Sequence, residues 1–394
     1  MAHKRRDLVV IPYHDWRKVQ REGARTRDAH MILHCLSHPG MGRVVIVNRP
    51  MTVGEMICKR RSWRTEGEVV AAGRSSRLVK IAENGFALDL FDEDPLGPVF
   101  SKKNWFLSAY GKGRYAREIE KYLSYLDVTE FSCISFNVLA AALLGRLDAD
   151  RKLFDAWDNF LRFPEHANNG HRLREAYTLC SRVADVWSTN SLSNKSFYEA
   201  NFGVAGCRVI RNGVDPEVFS REYDMPEDLR DISRPVAGVG AKVTHLIDHD
   251  LTNYVVEANP DVSFVLVGPV IERAVFRRIV RRPNFFYLGD KHYDQYPAYV
   301  KAFDVCLIPY AVGEKEHGGD AIKLYEYLAA GKPTVTTRIE GVTNRHGNVF
   351  VADSCEEFSE MIRRALSSPP RVKHLPERFT WRHRARQLLE PLVG

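Results

Sequence analysis

Short apolar runs alternate with longer amphipathic stretches along the whole chain, and this alternation is the pattern of strands and helices in a parallel α/β protein. Most runs are rich in Val, Ile, Leu or Phe and end at Gly, Pro or a polar residue, as strands buried on both faces of a sheet do. The predicted strands are residues 8–12, 44–47, 133–136 and 152–156 in the first half, and 236–239, 264–267, 285–288, 305–308, 334–336 and 349–351 in the second. Two sets of parallel strands are therefore expected.

A polar stretch separates these two sets of strands. Residues 208–215 read RVIRNGVD, in which Asn-Gly is a turn signal, and a polar, proline-containing segment follows over 216–235. A chain of 394 residues is too long for one ordinary α/β domain and long enough for two, each with its own buried core. We therefore predict three parts, an N-terminal Rossmann-like domain, a C-terminal Rossmann-like domain and a last helical segment, over residues 1–213, 214–375 and 376–394.

Composition narrows the class of protein. The hydrophobic fraction of 44% and the charged fraction of 27% are those of a soluble globular protein. The formal net charge of +7 suits an anionic ligand or membrane surface and does not require nucleic acid, for which no binding module is recognisable. The apolar runs are far shorter than the roughly 20 residues of a bilayer span, and the run 8–12 is too short for a signal peptide. We therefore expect a cytoplasmic protein without nucleic-acid partners.

The seven cysteines are scattered and contain no Cys-x-x-Cys pair, which indicates reduced thiols and neither a disulfide framework nor a zinc site. Apparent Asp-x-Asp triplets begin at Asp92, Asp148 and Asp248, but none follows a convincing predicted strand. A metal–diphosphate site is therefore not expected, and no metal or other cofactor is predicted.

The richest chemistry lies in residues 305–333, which read as a strand, a glycine-rich loop and a helix. The helix is predicted over 321–330, with Gly331 as its C-terminal cap and Pro333 preventing its continuation. This arrangement places the loop directly before the N-terminus of a helix, where anionic groups of a ligand are stabilised.

Five residues of this segment are candidates for holding a nucleoside diphosphate. Gly318, Gly319 and Asp320 precede the first turn, where exposed backbone N–H groups and the helix dipole suit a diphosphate. Lys323 adds a positive charge, and Glu326, one turn later, can accept hydrogen bonds from ribose hydroxyls. The alternative is an ordinary helix on which Lys323 and Glu326 form a solvated pair.

The sequence KLYEYLAAGKPTV, residues 323–335, resembles the donor-binding motif of the GT-B glycosyltransferases. Further pieces that resemble this family occur in the same order, namely RVIRNGVD at 208–215, FVLVGP at 264–269, NFFYLG at 284–289, the strand within 303–310, and FTW at 379–381. The last piece resembles the start of the helix that crosses back to the N-terminal domain. The resemblance implies an α/β GT-B fold, two Rossmann-like doubly wound parallel-sheet domains facing a central cleft, and a nucleotide-sugar donor, with a UDP-sugar favoured.

One departure from the family pattern concerns the mechanism. Many retaining members carry a pair of glutamates here, and Glu326 fits the second position while Gly318 occupies the first. Glu314 and Glu316 lie nearby but out of register. The departure points towards inversion of the anomeric centre and leaves a retaining transferase as an alternative.

Three pieces of the N-terminal half resemble the xanthan-type glucuronosyltransferases, inverting GT-B enzymes that act on a lipid-linked sugar: PYHDW at 12–16, RTRDAH at 25–30 and LFDAWDN at 153–159. This resemblance implies that Asp158 is the general base. From the residues alone, Asp155 and Asp158 follow the carboxyl end of a strand, where open α/β sheets place ligands and a carboxylate can take a proton. Either could instead cap the next helix, and we favour a structural role for Asp155.

The same resemblance implies further site residues. It predicts donor contacts from Gly240, Lys242 and Tyr310. Candidate acceptor residues are His14, Asp15 and Arg27, although a lone histidine near a strand end is more often structural.

Residues 101–117 read SKKNWFLSAYGKGRYAR and mix basic with aromatic side chains. Such a segment suits docking on an anionic membrane surface, with the rings at headgroup depth. The arginines within 273–282 are interpreted as a solvated helix face.

The leading hypothesis is a metal-independent sugar transferase, inverting and acting on a glycan or lipid-linked acceptor in bacterial surface polysaccharide or glycolipid synthesis. It would work in the cytoplasm, in peripheral contact with the inner face of the membrane. The alternatives are a retaining transferase, a nucleotide-sugar epimerase that needs no acceptor, and a non-catalytic sugar-nucleotide-binding protein.

Overall fold

A computed structural model describes residues 5–101, 104–313, 319–342, 348–368 and 375–393. The chain divides into two compact units: unit 1 comprises the chain up to Arg211 with the segment from Arg384 onwards, and unit 2 is Asn212–His383. The division falls just before the predicted boundary at Gly213. Asn212 belongs to unit 2 because its backbone N–H donates a 2.7 Å hydrogen bond to Oδ2 of Asp320 and its side-chain amide a 2.6 Å bond to the Asp320 carbonyl.

Unit 1 is built on one large sheet. Its strands are β1 (Arg6–Ile11), β2 (Met41–Val47), β3 (Met51–Thr52), β4 (Glu68–Ala72), β5 (Ser76–Lys80), β6 (Gly85–Asp92), β7 (Phe131–Ser135), β8 (Arg151–Asp155), β9 (Val186–Thr189) and β10 (Arg208–Val209). Its helices are α1 (Trp16–Glu22), α2 (Arg27–Ser37), α3 (Val53–Lys59), α4 (Gly97–Ser101), α5 (Asn104–Ala109), α6 (Arg114–Tyr125), α7 (Ala141–Arg146), α8 (Gly170–Val183) and α9 (Leu192–Phe202). The strand order is β10-β9-β8-β7-β1-β2-β6-β5-β4, with β3 beside β6.

One part of this sheet corrects the expectation of a wholly parallel domain. Strand β5 runs antiparallel to both β4 and β6, whereas β6 is parallel to β2. The links 73–75 and 81–84 are too short for the crossover that a parallel pair requires, so each closes a hairpin. This meander was not predicted from the sequence.

Alternation of side chains explains the core of unit 1. Val9 and Ile11 of β1 and Val45 and Val47 of β2 point to the same face and join one buried cluster. Helix α8 contributes residues at helical spacing to that cluster, namely Leu173, Ala176, Tyr177 and Cys180.

Unit 2 is a doubly wound domain whose strands are all parallel. Its strands are β11 (Val236–Gly240), β12 (Ser263–Val267), β13 (Phe285–Tyr287), β14 (Val305–Ile308), β15 (Thr334–Thr337) and β16 (Val349–Ala352). Its helices are α10 (Pro216–Ser220), α11 (His249–Ala258), α12 (Arg273–Arg278), α13 (Tyr296–Ala302), α14 (Ile322–Ala329) and α15 (Cys355–Leu366), and α16 (Trp381–Val393) passes from unit 2 into unit 1. The sheet order is β13-β12-β11-β14-β15-β16.

The two faces of the unit 2 sheet are covered by different helices. Along β12, Val265 and Val267 pack with residues of α13 and α14, while Phe264 and Leu266 pack with residues of α11 and α15. Apolar side chains on both faces account for the continuous apolar runs by which these strands were predicted.

The predicted strands of both halves are present, with ends that differ by a few residues. The predicted helix over 321–330 is α14, and the predicted stop is confirmed because Gly331 has φ of 71°, a left-handed conformation that favours glycine. Among the described residues, none of the helices is long and apolar enough to cross a membrane.

Candidate functional site

The sheet of unit 2 has a point at which its strand order reverses. Strands β11 and β14 are neighbours, and from this pair the chain adds strands outward in opposite directions. In open α/β sheets, ligands bind beyond the carboxyl ends of the two strands at such a point. The loops that leave Gly240 and Ile308 therefore form the candidate donor site.

These two loops are tied to each other. A bridge pairs Ile247 with Tyr310, and the N–H of Asp248 donates a 2.9 Å hydrogen bond to the carbonyl of Pro309. The hydroxyl of Thr337, at the end of β15, donates a 2.7 Å bond to the carbonyl of Tyr310. The backbone of Tyr310 is thereby fixed beside the reversal point.

Gly240 is fixed at the end of β11 by two tyrosines. Its N–H donates a 2.9 Å hydrogen bond to the hydroxyl of Tyr327, and a Cβ at this position would lie 1.9 Å from the hydroxyl of Tyr296. Only glycine fits here without displacing the Tyr296 ring. Lys242, half-buried, lies two residues further along the same loop.

Lys323 lies on the first turn of α14 and contacts Tyr310. Its ammonium group donates a hydrogen bond to the Tyr310 hydroxyl and lies 4.4 Å from the centroid of that ring. Most of α14 is buried, from Leu324 to Ala329, whereas Lys323 is only partly buried. The structure thus brings the predicted donor-site residues Tyr310 and Lys323 into contact, and it places Gly240, also predicted, against Tyr327 of the same helix.

Glu326 lies one turn further along α14 and is only 4% exposed. It accepts a 2.6 Å hydrogen bond from the hydroxyl of Tyr293. Burial raises the pKa of the Glu326 carboxyl to about 7, against the opposing effects of the Tyr293 hydrogen bond and the charge of Lys323. A solvated Lys323–Glu326 pair, the structural alternative, is therefore excluded by the burial of the glutamate. A direct contact of Glu326 with ribose stays a prediction.

The loop before α14 is held by Asp320. This residue is 5% exposed, and its Oδ2 accepts hydrogen bonds from the Asn212 N–H and, at 2.8 Å, from the Tyr325 hydroxyl. The carboxylate therefore anchors the loop from inside, while Gly319 precedes it in the chain. Gly318, also predicted to hold the diphosphate, lies outside the described residues.

In unit 1, Asp158 follows the carboxyl end of β8 and is partly exposed. Its backbone carbonyl accepts hydrogen bonds from the hydroxyls of Tyr198 at 3.0 Å and Tyr177 at 3.3 Å. The neighbouring Asn159 caps the short helical turn that follows, because its Oδ1 accepts from the N–H of Leu161 at 3.1 Å. The capping role considered for Asp158 is thus filled by Asn159.

Asp155 and Arg27 form a buried ion pair. The guanidinium of Arg27, 1% exposed, donates to the two carboxylate oxygens of Asp155 at 2.7 and 3.2 Å, and Ser188 donates a third bond at 2.6 Å. Arg27 also donates to the carbonyl of Arg211 at 3.2 Å. Asp155 is structural, as expected, and contact of Arg27 with an acceptor would require this pair to break.

Asp15 is also part of the scaffold. It caps the N-terminus of α1 and pairs with Arg17 at 2.9 Å and Arg49 at 3.3 Å, with 7% of its surface exposed. Burial opposes ionisation, but the two guanidinium groups outweigh it and hold the pKa of Asp15 below its usual value. The structure therefore gives Asp15 a structural role in place of the predicted acceptor contact.

His14 remains partly exposed and is held by a buried carboxylate. Its ring Nδ1 lies 3.0 Å from Oδ1 of Asp28, and its backbone N–H donates a 2.7 Å hydrogen bond to Oδ2. Asp28 is fully buried and also accepts from the hydroxyl of Thr26 at 2.6 Å. Burial opposes ionisation of Asp28, but its contacts with His14 and Thr26 hold its pKa well below the usual value. Among the three candidate acceptor residues, only His14 is partly exposed.

The prediction for residues 101–117 is wrong about three of the four aromatic rings of this segment. Trp105, Tyr110 and Tyr115 are 6%, 1% and 2% exposed, because they belong to the core of unit 1 and not to its surface. Arg114 pairs with Asp92 and donates to the Tyr115 hydroxyl. Lys102 and Lys103 lie outside the described residues.

The structure also corrects one detail of the Asp-x-Asp triplets, because Asp92 is the last residue of a strand, β6. Its carboxylate is buried and accepts a hydrogen bond from Tyr115. In the part of the chain that the structure describes, no group of three or more His, Cys, Asp or Glu side chains is arranged to hold a metal ion. Metal independence stays a prediction.

Unit 2 contains the part of the chain that matches a known protein family. Residues 242–368 match the family described as "Glycosyl transferases group 1". A curated relative, the putative teichuronic acid biosynthesis glycosyltransferase TuaH of Bacillus subtilis, is 28% identical over 134 residues. That alignment covers 33% of this chain and 34% of the relative, so it spans about a third of each protein.

Solved structures match over nearly the whole chain. A trehalose-6-phosphate protein of E. coli, bound with UDP-2-fluoro glucose, has a TM-score of 0.65 at 12% identity and covers 98% of this chain and 95% of its own. The HepE protein of Anabaena, in complex with UDP and glucose, has a TM-score of 0.62 at 16% identity and covers 98% and 99%. Sucrose-phosphate synthase of Thermosynechococcus elongatus has a TM-score of 0.64 at 12% identity and covers 99% and 96%.

The predicted GT-B fold is confirmed by these matches, while the resemblance to xanthan-type glucuronosyltransferases stays a prediction. Identities of 12–16% establish the fold and leave substrates open. The chain therefore has the two-domain α/β fold of the GT-B glycosyltransferases, and its residues 242–368 are similar to the family described as glycosyl transferases group 1.

Proposed function

We propose that this protein transfers a sugar from a nucleotide-sugar donor, with a UDP-sugar favoured, to a hydroxyl of a glycan or lipid-linked acceptor. The observation that carries the proposal is the contact between Lys323 and Tyr310 at the strand reversal of unit 2, within the segment that matches the group 1 family. Two of the similar solved structures hold UDP or a UDP-sugar, which supports the choice of nucleotide. The named role of the curated relative supports a place in bacterial surface polysaccharide or glycolipid synthesis.

In the proposed donor site, the diphosphate lies at the loop ahead of α14. Lys323 contributes a full positive charge, and the backbone N–H groups of the loop and the helix dipole contribute partial ones. Glu326 accepts hydrogen bonds from the ribose hydroxyls, while Tyr310 and Lys242 line the site. These groups can neutralise the charge of the leaving diphosphate, so the proposed reaction uses no metal.

In the proposed reaction, the acceptor hydroxyl oxygen attacks the anomeric carbon of the donor sugar from the face opposite the diphosphate. The bond between that carbon and the diphosphate oxygen breaks, and the nucleoside diphosphate leaves with the bonding electrons. Asp158 takes the proton of the attacking hydroxyl as general base. The configuration at the anomeric carbon is inverted.

We also propose that the protein contacts the inner face of the membrane, through a surface other than the predicted segment 101–117. Ile57 of α3 and Phe100 of α4 are 72% and 77% exposed, and Leu96 just before α4 is 53% exposed. Helices α3 and α4 pack beside each other, and Arg60 and Arg61, both exposed, follow α3 directly. Exposed apolar side chains next to arginines suit an anionic bilayer surface.

Donor binding and product stereochemistry test the proposal. In thermal-shift assays with UDP-, GDP- and dTDP-sugars, a UDP-sugar is expected to stabilise the protein, by ~2.7 kcal/mol at 100 times its dissociation constant. NMR of the product should then show an anomeric configuration opposite to that of the donor. A product with the donor's own configuration would identify a retaining transferase.

An epimerase and a binding protein would each give a distinct outcome in the same assays. An isomerised sugar nucleotide formed without acceptor would identify an epimerase. Donor binding without transfer to any glycan or lipid-linked acceptor would identify a binding protein. The proposal would be refuted if none of the nucleotide-sugars stabilised the protein.

A further inference from the structure

Two partly exposed aromatic side chains of unit 1 lie just beyond the ends of two strands that flank β7. Tyr13 comes after β1 and Trp157 after β8, and both strands are parallel neighbours of β7. Their ring centroids are 6.1 Å apart in an edge-to-face arrangement. Because carboxyl ends of parallel strands share one edge of a sheet, both rings lie where such sheets bind ligands.

Both rings are held in place from behind. Phe160 packs against Tyr13 at 4.9 Å and against Trp157 at 5.9 Å between ring centroids. The indole N–H of Trp157 donates a 3.2 Å hydrogen bond to the carbonyl of Phe136. The rings are therefore pre-positioned, which lowers the entropy cost of binding a ligand against them.

His14 completes this group of side chains. Its ring centroid lies 5.0 Å from that of Tyr13 and 6.0 Å from that of Trp157. A carboxylate can only accept hydrogen bonds, so the contact with Asp28 places a proton on Nδ1 of His14. Nε2 can then accept a hydrogen bond when the ring is neutral and donate one when the ring is protonated.

We propose that Tyr13, His14 and Trp157 form a subsite for a pyranose ring of the acceptor. The C–H face of the sugar packs on the aromatic faces, which carry partial negative charge, and a sugar hydroxyl forms a hydrogen bond with Nε2 of His14. Asp28 is a positioning residue that fixes the His14 tautomer. The inference rests on the proposed function and names the class of acceptor group that unit 1 recognises.

The position of this subsite agrees with the proposed chemistry. Asp158, the proposed base, directly follows Trp157 in the same loop, and its backbone is held by Tyr177 and Tyr198. A sugar seated on the Trp157 ring is thereby bound by the loop that carries the base. Of the predicted acceptor residues, Asp15 and Arg27 are engaged in ion pairs within unit 1. Tyr13 and Trp157 were not among the residues that the sequence predicted to bind the acceptor.

The experiment uses the full chain and a panel of methyl pyranosides, namely those of glucose, galactose, N-acetylglucosamine and glucuronic acid. Saturation-transfer NMR without donor is expected to show contact between the protein and the C–H face of at least one of them. Trp157→Leu and His14→Ala should each weaken that binding about tenfold, while Trp157→Phe, which keeps a ring, should retain most of it. Trp63→Leu, at another partly exposed tryptophan of unit 1, is the matched control and should bind like the wild type.

Donor affinity, measured by calorimetry, separates this inference from the proposed function. Pyranoside binding that requires Trp157, in a protein that binds no nucleotide-sugar, would uphold the subsite and refute the transferase. Donor binding with no pyranoside contact, or contact unaffected by Trp157→Leu and His14→Ala, would overturn the subsite. Circular dichroism of each variant verifies folding, and His14→Ala leaves both aromatic rings in place, so one variant tests the subsite even if Trp157→Leu unfolds.

Discussion

The hydroxyl of Tyr293 donates a 2.6 Å hydrogen bond to Oε1 of Glu326, a carboxyl of which only 4% is exposed. Burial raises the pKa of this carboxyl to about 7. Its charge therefore changes within the range of neutral pH, inside the domain proposed to bind the donor.

The stability of the protein should fall as pH rises through the pKa of Glu326. The Glu326 carboxyl holds its proton more tightly in the folded protein than in the unfolded chain, where its reference pKa is 4.5. The free energy of unfolding that this difference contributes is therefore fully present below pH 4.5 and is lost as the pH rises through about 7. Relative to Glu326→Gln, wild-type protein should lose on the order of 3 kcal/mol between those limits. Urea unfolding of both proteins across this pH range measures the difference. A constant difference between them would contradict the prediction, and the exposed Glu257→Gln provides the control.

Lys323→Ala should weaken donor binding without unfolding the domain. Loss of one charge-assisted contact costs about 1.5–3 kcal/mol, which corresponds to a roughly 10- to 150-fold higher dissociation constant. Calorimetry with the UDP-sugar identified in the screen measures the change. Lys301→Ala removes the same charge from another partly buried position of the same unit and should leave binding unchanged. Unaltered binding in Lys323→Ala would remove Lys323 from the site.

Asp158→Asn should abolish most of the turnover while preserving donor affinity. The amide keeps the shape of the side chain but cannot take a proton, so the rate should fall by roughly 10²–10⁴-fold. Single-turnover kinetics measure the rate, and calorimetry checks donor binding. Wild-type turnover in this variant would show that another group, or none, acts as the base.

Asp155 lies only three residues before Asp158 in sequence, but Asp155→Ala should lower the stability of the protein. It leaves the buried guanidinium of Arg27 without its carboxylate, which should cost about 3–5 kcal/mol of stability. Replacing both partners by apolar residues, Arg27→Met with Asp155→Leu, should cost less than the single change because no buried charge remains. Urea unfolding compares the variants, and an Asp155→Ala protein as stable as the wild type would refute the structural assignment.

Wild-type protein should bind vesicles that contain anionic lipid at low salt, and added salt should weaken the binding. Phe100→Asp and Ile57→Asp should each reduce it, because they place a negative charge on the exposed apolar surface of α4 and α3. Leu192→Asp, at another exposed apolar residue of unit 1, is the control. Cosedimentation measures the bound fraction, and equal binding by Phe100→Asp and wild type would exclude this surface.

The sequence by itself determined the elements whose patterns are local. Strands buried on both faces read as continuous apolar runs, so β12 and β14 could be located to within a residue or two. Helix α14 and its stop were predictable because Gly331 and Pro333 end a helix for reasons of backbone conformation alone. Lys323 and Tyr310 could be proposed as donor-site residues because the short segments that contain them resemble those of known families.

The tertiary structure alone decided which polar and aromatic side chains are accessible. Nothing local distinguishes Arg27 and Asp155, which neutralise each other across 128 residues of sequence, from residues that face a ligand. The rings of Trp105 and Tyr115 looked like surface residues among basic neighbours, yet they pack in the core. Conversely, Tyr13 and Trp157 are far apart in sequence and meet only because β1 and β8 end at the same edge of the sheet. Burial and pairing depend on contacts between distant segments, and such contacts are set by the fold.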